Sequence, residues 1–303
     1  MINMTKFKHI PVMPKEAIDF LDIKKDGVYI DGTLGGGGHS EQIIKNLGDK
    51  GELIGIDQDI DAVEAAKKRL SKYKEKIIFI HDNFRNLENI LNELKIEKVD
   101  GILLDLGVSS YHLENPERGF SFKEGTNSIL DMRMDKRQKL SAYEIVNQYN
   151  EEELKKIFFE LGEESFSRQI ARQIIIRRKE KPIKTTNDLL AVIKSATPPK
   201  YRFSRRGQYG SKIFRALRME VNQELDVLRD ILPQAIHRLK KGGRVVIISF
   251  HSLEDRIVKH FFREMKQEEK VDVLTKKPIA PSSNETALNP RARSAKLRAI
   301  QKI

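Results

Sequence analysis

The first chemical signal is a set of acids spaced around a run of glycines. Ile30-Asp31-Gly32-Thr33-Leu34 leads into Gly35, Gly36, Gly37 and Gly38 and then His39-Ser40, which puts five glycines within seven positions after a short apolar run. Glycines placed where a strand turns into a helix let the backbone pass close to a ligand and aim free N–H groups at it. The helix is legible in Ser40-Glu41-Gln42-Ile43-Ile44-Lys45-Asn46-Leu47-Gly48, with apolar residues at helical spacing and a glycine at the C-terminal cap. Glu52-Leu53-Ile54-Gly55-Ile56-Asp57 reads as a second strand. Its terminal acid lies about twenty residues past the glycines, the spacing at which a carboxylate takes ribose hydroxyls. A nucleotide-like ligand is expected at this turn.

Two features narrow the ligand. A P-loop ends in Gly-Lys-Ser/Thr, whereas Gly38 is followed by His39-Ser40, so no lysine is placed for a triphosphate. A dinucleotide turn does not open with an acid, because the carboxylate would face a pyrophosphate. Asp31 at the head of the turn suits a ligand with a cationic amino-acid head group. S-adenosylmethionine fits: ribose on Asp57, ammonium and sulfonium toward the acidic end. After a third strand, Ile77 to His81, either Asp82 or Asn83 is placed to meet an adenine amine, and Phe84 either packs the ring or belongs to the core. Asp105 ends a fourth strand, Val99 to Asp105, that is apolar almost throughout, as a strand covered on both faces must be.

The elements that must position these groups follow from the pattern. Strands alternating with helices imply a parallel sheet with its site at the carboxyl edge, where Asp31, Asp57, Asn83 and Asp105 all belong. An extended arm with Pro11 and Pro14 precedes a first helix from Lys15 to Leu21. After Ser109-Ser110 the alternation stops for about a hundred residues that offer no strand. Ser141 with Glu144, Asn150 with Glu153, and Thr185 with Asp188 are helix-start signatures there, and 166–179 is an arginine-rich amphipathic stretch. A mainly helical insertion is expected at 112–211, with 1–111 and 212–303 forming the sheet domain. The sheet resumes with one long helix expected over 212–239, bent at Pro233, then a fifth strand ending in Ser249-Phe250-His251. The tail, near 271–275 and 296–300, supplies two more strands; seven strands with the last reversed form the usual methyltransferase sheet.

Composition bounds the partners. The 303 residues, 39% of them hydrophobic, suffice for a sizeable core. No stretch has the length of apolar sequence a bilayer span needs, and the N-terminus has no signal-like apolar region, so a soluble, cytoplasmic protein without membrane contact is expected. Zero cysteines exclude disulfides, thiolate metal sites and any thiol nucleophile. The acids lack a compact ligand cluster, so no metal is expected. A net charge of +12 favours a polyanion. Its focus is 200–212, an acid-free segment interleaving Tyr201, Phe203 and Tyr209 with Arg202, Arg205, Arg206 and Lys212. Arginines suit phosphates and aromatic faces suit unpaired bases. In the tail, Arg291, Arg293, Lys296 and Arg298 either clamp phosphates or solubilise an edge strand.

Several segments together resemble one family. They are His9-Ile10-Pro11-Val12 with Glu16, Asp31-Gly32-Thr33 with its glycines and His39-Ser40, 101–110, Arg118-Gly119-Phe120-Ser121-Phe122, Leu130-Asp131-Met132-Arg133-Met134-Asp135, Phe214-Arg215-Ala216-Leu217-Arg218, Glu220-Val221-Asn222 and 249–256. The chain resembles, from His9 to its tail, the bacterial methyltransferases (RsmH, also called MraW) that methylate the exocyclic N4 of a cytosine in small-subunit 16S ribosomal RNA. The resemblance implies a class I, Rossmann-like S-adenosylmethionine-dependent sheet with an inserted helical substrate domain. It also implies donor contacts at Gly37, Gly38, His39, Asp57, Phe84, Asp105 and His112, the last standing where some relatives carry glutamine. The RNA contacts would come from the basic segment with Arg215, and from Arg291 and Arg293.

The reaction so implied is in-line transfer of a sulfonium methyl to a neutral exocyclic amine whose lone pair is delocalised into the ring. An aspartate beside the methyl accepts an N–H and localises that pair, and Asp105 is the candidate. Other amino-methylating enzymes carry Asp/Asn-Pro-Pro-Tyr/Phe here, but the sequence is Asp105-Leu106-Gly107-Val108. The base must then stack on an aromatic from elsewhere: Phe250, Phe120 or Phe122. His251 is a candidate proton relay. Lack of cysteine excludes C5 methylation through a cysteine adduct. A dehydrogenase-like nucleotide enzyme and an RNA-binding assembly factor with a relic pocket are the alternatives. Whether the chain is a monomer or a homodimer is left open.

Overall fold

In the computed structural model, which describes residues 11–109, 112, 115–121, 127–204 and 208–303, the alternating segments pair into one seven-stranded sheet. Its strands are β1 (Val28–Asp31), β2 (Glu52–Asp57), β3 (Ile77–His81), β4 (Val99–Asp105), β5 (Leu239–Ser249), β6 (Val271–Val273) and β7 (Lys296–Lys302), in the order β3-β2-β1-β4-β5-β7-β6. The pairs β1 with β2, β1 with β4, β2 with β3 and β4 with β5 are parallel, while β7 is antiparallel to both β5 and β6. This is the Rossmann-like sheet with one reversed strand expected from the sequence. The order reverses direction at β1, so the crevice outside the carboxyl ends of β1 and β4 is the topological switch point where such sheets take ligands.

The strand residues alternate between two cores, as a period of two requires. Ile30, Ile54, Ile56, Ile102, Leu104, Val245 and Ile247 face α4 (Leu87–Glu93), α11 (Glu224–Arg238) and α12 (Ser252–Gln267). Tyr29, Leu53, Leu103, Val246 and Ile248 face α1 (Pro14–Leu21), α2 (Gly38–Asn46) and α3 (Ile60–Arg69). α1 starts with Pro14 in its first turn, where a missing N–H costs nothing. Among the described residues no helix is long and apolar enough to cross a membrane.

The chain separates into two compact units, 1–107 with 225–303 and 108–224. The second is helical: α5 (Ala142–Gln148), α6 (Glu151–Glu160), α7 (Ser167–Glu180), α8 (Thr186–Ala196), α9 (Pro199–Ser204) and α10 (Ser211–Asn222). Ser141, Asn150 and Thr185 cap α5, α6 and α8 in capping boxes with Glu144, Glu153 and Asp188. Its own core contains Phe158, Ile170, Ile174, Leu189, Ile213 and Leu217.

The single long helix expected over 212–239 is instead two. Gln223 stands between α10 and α11 at φ 50° and ψ 36°, a left-handed conformation that ends a helix, while Pro233 lies inside α11. The unit boundary therefore follows α10 rather than preceding it. Beside the break, Asn222 ties the end of α10 to the 132–134 loop. Its buried amide accepts the Met134 N–H at 2.8 Å and donates to the Met132 and Arg218 carbonyls, each at 2.8 Å. Replacing it removes two hydrogen bonds to the backbone of the 132–134 loop. We expect Asn222→Ala to cost about 2–4 kcal/mol in urea unfolding, whereas Gln138→Ala, which removes only a 3.4 Å hydrogen bond to Asn222, costs under about 1 kcal/mol.

Candidate active site

Asp31 ends β1 fully buried, so its carboxylate faces the loop and not a ligand. One oxygen accepts the Thr33 N–H at 3.2 Å and the other accepts the Ser40 hydroxyl at 2.6 Å. The expectation that Asp31 meets a ligand amine is corrected accordingly: it binds the glycine turn to the first turn of α2. Burial pushes its carboxyl above the usual range, against the opposing effects of His39, Ser40 and Thr33. Gly37 caps α2 at φ 75°, ψ 21°, and a Cβ there would lie 3.1 Å from Leu70 Cδ1. Gly38 begins α2, and Gly35 and Gly36 are the more accessible members of the run.

Asp57 at the end of β2 closes the loop from the other side. Its Oδ2 accepts the Gly35 N–H at 2.8 Å and its Oδ1 accepts the Asp59 N–H at 2.9 Å. Each carboxylate oxygen has more than one lone pair, so the group can hold the loop and still accept from a hydroxyl. Thr33 Oγ1 accepts the Asp105 N–H at 2.7 Å, fastening the loop to the end of β4.

His39, on α2 and only 4% exposed, reaches the same place: Nε2 lies 3.4 Å from Asp105 Oδ2. Neither ring nitrogen, nor Asp105 Oδ1, has an aligned hydrogen-bond partner among the described residues. Burial would push the imidazole down, but Asp105, Asp31 and Glu285 outweigh it and hold its pKa above the ordinary histidine value.

At the end of β3, Asn83 is already used. Its Nδ2 donates to Gln58 Oε1 at 2.8 Å and its Oδ1 accepts the Arg85 N–H at 3.0 Å, capping a short turn of 3₁₀ helix. Asp82 takes both the Asn83 N–H and the Asn86 amide on one oxygen, Oδ1, which leaves the acceptor capacity of Oδ2 for a ligand. Phe84 is partly buried against the core behind β1 and β4. Of the two alternatives for an adenine amine, the geometry favours Asp82.

Phe250 follows β5 and sits against the turn after β4: a Cβ on Gly107, whose φ is 104°, would be 3.6 Å from the Phe250 ring. His251 is the N-cap of α12, its Nδ1 facing the Glu254 N–H at 3.4 Å, while Glu254 Oε2 accepts the Phe250 N–H at 2.8 Å. His251 caps the helix through Nδ1, and its buried Nε2 lies 3.2 Å from Glu254 Oε1. In the helical unit, Phe120 is 7% exposed and stacked on His112 with ring centroids 4.6 Å apart, so it is an internal aromatic. His112 is held by Ser109, whose N–H meets Nδ1 at 3.3 Å. Phe122, Arg205 and Arg206 lie outside the described residues.

Several expected RNA cations are partly exposed side chains that donate to neighbouring carbonyls. Arg202 donates to the Lys194 and Thr197 carbonyls, Lys212 to the Glu163 carbonyl, and Arg215 to the Gly162 carbonyl at 2.9 Å with Glu163 beside it. Tyr201 donates to buried Glu164 and packs edge-on against Phe166. Phe203, by contrast, is 82% exposed. In the tail Arg298 is buried in an ion pair with Asp255 at 2.7 Å, with Lys296 at 3.4 Å, whereas Arg291 and Arg293 are exposed. Arg298 is therefore an internal strut of β7.

Sequence reasoning missed Thr33, Ser40, Asp59 and Glu285. The Asp31-Gly32-Thr33 spacing carries an Asx-turn signal that identifies Thr33. Nothing local could place Glu285, which caps Met13 from the far end of the chain.

A sequence model of the MraW methylase family matches residues 6–303. "Ribosomal RNA small subunit methyltransferase H" of Clostridium botulinum (strain Kyoto / Type A2) is 51% identical over 313 residues, covering 98% of this chain and 100% of that protein. The protein of the same name from strain Loch Maree / Type A3 matches with the same identity and coverage. Among solved structures, an rRNA methylase from Streptococcus thermophilus aligns at 11% identity and a TM-score of 0.45, over 95% of each chain.

The loop geometry is directly testable. Gly37→Ala forces a β-carbon into a left-handed conformation and against Leu70, so thermal unfolding should report a loss of about 1–2 kcal/mol.

Proposed function

Given that this chain belongs to the MraW methylase family, we propose that it transfers the sulfonium methyl of S-adenosylmethionine to the exocyclic N4 of a cytosine in 16S ribosomal RNA of the small subunit. The observation that carries the chemistry is Asp105. It ends β4 at the switch point, tied through its N–H to the glycine loop, with Oδ2 3.4 Å from His39 Nε2 and with Oδ1 left without a hydrogen-bond partner among the described residues. Such a carboxylate accepts an N–H of the target amine, drawing its lone pair out of the ring as the amine attacks the methyl carbon and the C–S electrons pass to sulfur.

In this reading the loop backbone at Gly35, Gly36, Gly37 and Gly38 takes the donor's amino-acid portion. Asp57 takes the ribose, and Asp82 and Phe84 the adenine. Asp31 and His39 act through the loop and Asp105, and Asn83 acts by shaping the turn. Phe250 is the stacking aromatic, because it lies against Gly107, two residues past Asp105. For RNA, Lys200, Phe203, Arg291 and Arg293 present exposed side chains, and Arg202, Lys212 and Arg215, each held by a carbonyl, keep their charge and further N–H donors for phosphate. A cytoplasmic protein acting on a ribosomal subunit follows.

Tritium transfer from labelled donor to small subunits lacking the modification, with nucleoside analysis, tests the reading. N4-methylcytidine should form with the wild type. Asp105→Ala should lower kcat by about 10²–10⁴, and Phe250→Ala should lower kcat/KM by about 10–100-fold while Phe250→Tyr retains most of it. Donor binding without transfer would favour an assembly factor instead. Neutralising Lys200, Arg205 and Arg206 together should reduce the salt slope of RNA binding by roughly 0.7 for each phosphate no longer neutralised. An unchanged slope would remove this segment from the interface.

A further inference from the structure

His39 is a buried imidazole whose Nε2 lies 3.4 Å from Asp105 Oδ2, and the ionisable groups that act on it are all acids. Asp105 at the end of β4 is in contact with it, and the charges of Asp31 at the end of β1 and Glu285 on α13 (Ser283–Leu288) also act on it. Serine and threonine partners satisfy Asp31, and the Met13 N–H satisfies Glu285, but Asp105 Oδ1 is satisfied by nothing among the described residues. An ionised carboxylate in this buried position is stabilised by a neighbouring cation, and the imidazole 3.4 Å away is the titratable group in contact with Asp105.

We propose that the proton on His39 serves as that cation until the methyl donor arrives, and that donor binding expels it. The inference rests on the donor reading above. S-adenosylmethionine brings a fixed positive sulfonium toward Asp105, and two cations sharing one buried carboxylate repel, so the titratable one loses its proton. The direction agrees with the raised pKa of the imidazole in the free protein. It also closes the proton balance of the reaction. When the N4 lone pair forms the N–C bond and the C–S pair leaves to sulfur, the product amine is cationic and the sulfur neutral. One proton must leave N4; Asp105 accepts it and neutral His39 takes it up, restoring the imidazolium. His39 is thus a positioning and proton-holding residue that acts through Asp105.

The sign of the linkage follows. The bound state holds fewer protons than the free state, so donor affinity rises with pH below the raised His39 pKa, by at most about tenfold per pH unit, and levels off above it.

Isothermal titration of the full-length protein near neutral pH, in two buffers of different ionisation enthalpy, counts the protons. S-adenosylmethionine should release close to one proton more than S-adenosylhomocysteine, which keeps the amino-acid head and nucleoside but lacks the sulfonium charge. His39→Asn should abolish that excess and flatten the pH dependence. The wild-type comparison of the two ligands stands without any variant: equal proton release overturns the proposal while leaving the donor reading intact. An excess that persists in His39→Asn assigns the proton to a group other than His39 and also overturns it. Absence of donor binding altogether would overturn both.

Discussion

The structure of the site depends on one buried carboxylate. Taking an ionised aspartate out of water costs several kcal/mol unless its oxygens are filled, and Asp31 is filled by the Ser40 hydroxyl and the Thr33 amide. Those two bonds decide where β1 hands over to the loop and where α2 begins. The same Thr33 then turns its hydroxyl to the Asp105 N–H, so the carboxyl ends of β1 and β4 are fixed to each other across the switch point. A ligand loop built from glycines has little conformational preference of its own; the anchored acid supplies the constraint that the glycines lack.

Around this anchor the acids divide their work by exposure. Asp31 is sealed and structural, Asp57 holds two backbone N–H groups while keeping acceptor capacity, and Asp105 retains an oxygen with no partner among the described residues. Three chemically identical groups at three strand ends thus acquire different roles from their surroundings. Asp105 faces a histidine rather than a lysine or arginine, which leaves the local charge adjustable by one proton.

The basic surplus divides in the same way. A net charge of +12 suggests a broad surface for a polyanion, yet Arg202, Lys212 and Arg215 cap helix and turn carbonyls within the helical unit, and Arg298 is paired with Asp255 inside the sheet domain. Long cationic side chains reach neighbouring carbonyls as readily as they reach solvent, so a tally of cations also counts groups, such as Arg298, that are not presented to phosphate.

Much of this was legible in the sequence because it is written in local periodicity and local backbone need. The seven strands, three capping boxes and the glycine turn each follow from residues within one element's length, while the reversal of β7 was expected only from the usual methyltransferase sheet. The acids at the ends of β1, β2 and β4 could be placed on one edge because parallel strands put all their carboxyl ends together. What each acid does there was not legible. That Asp31 is sealed, that Asn83 bonds Gln58, that His251 caps α12, that α10 and α11 part at Gln223, and that Glu285 accepts the Met13 N–H are all consequences of how the elements pack. The sequence by itself determined which groups arrive at the site; only the tertiary structure decided which remain available, because burial and the partner that fills each hydrogen bond depend on packing between elements rather than on spacing within them.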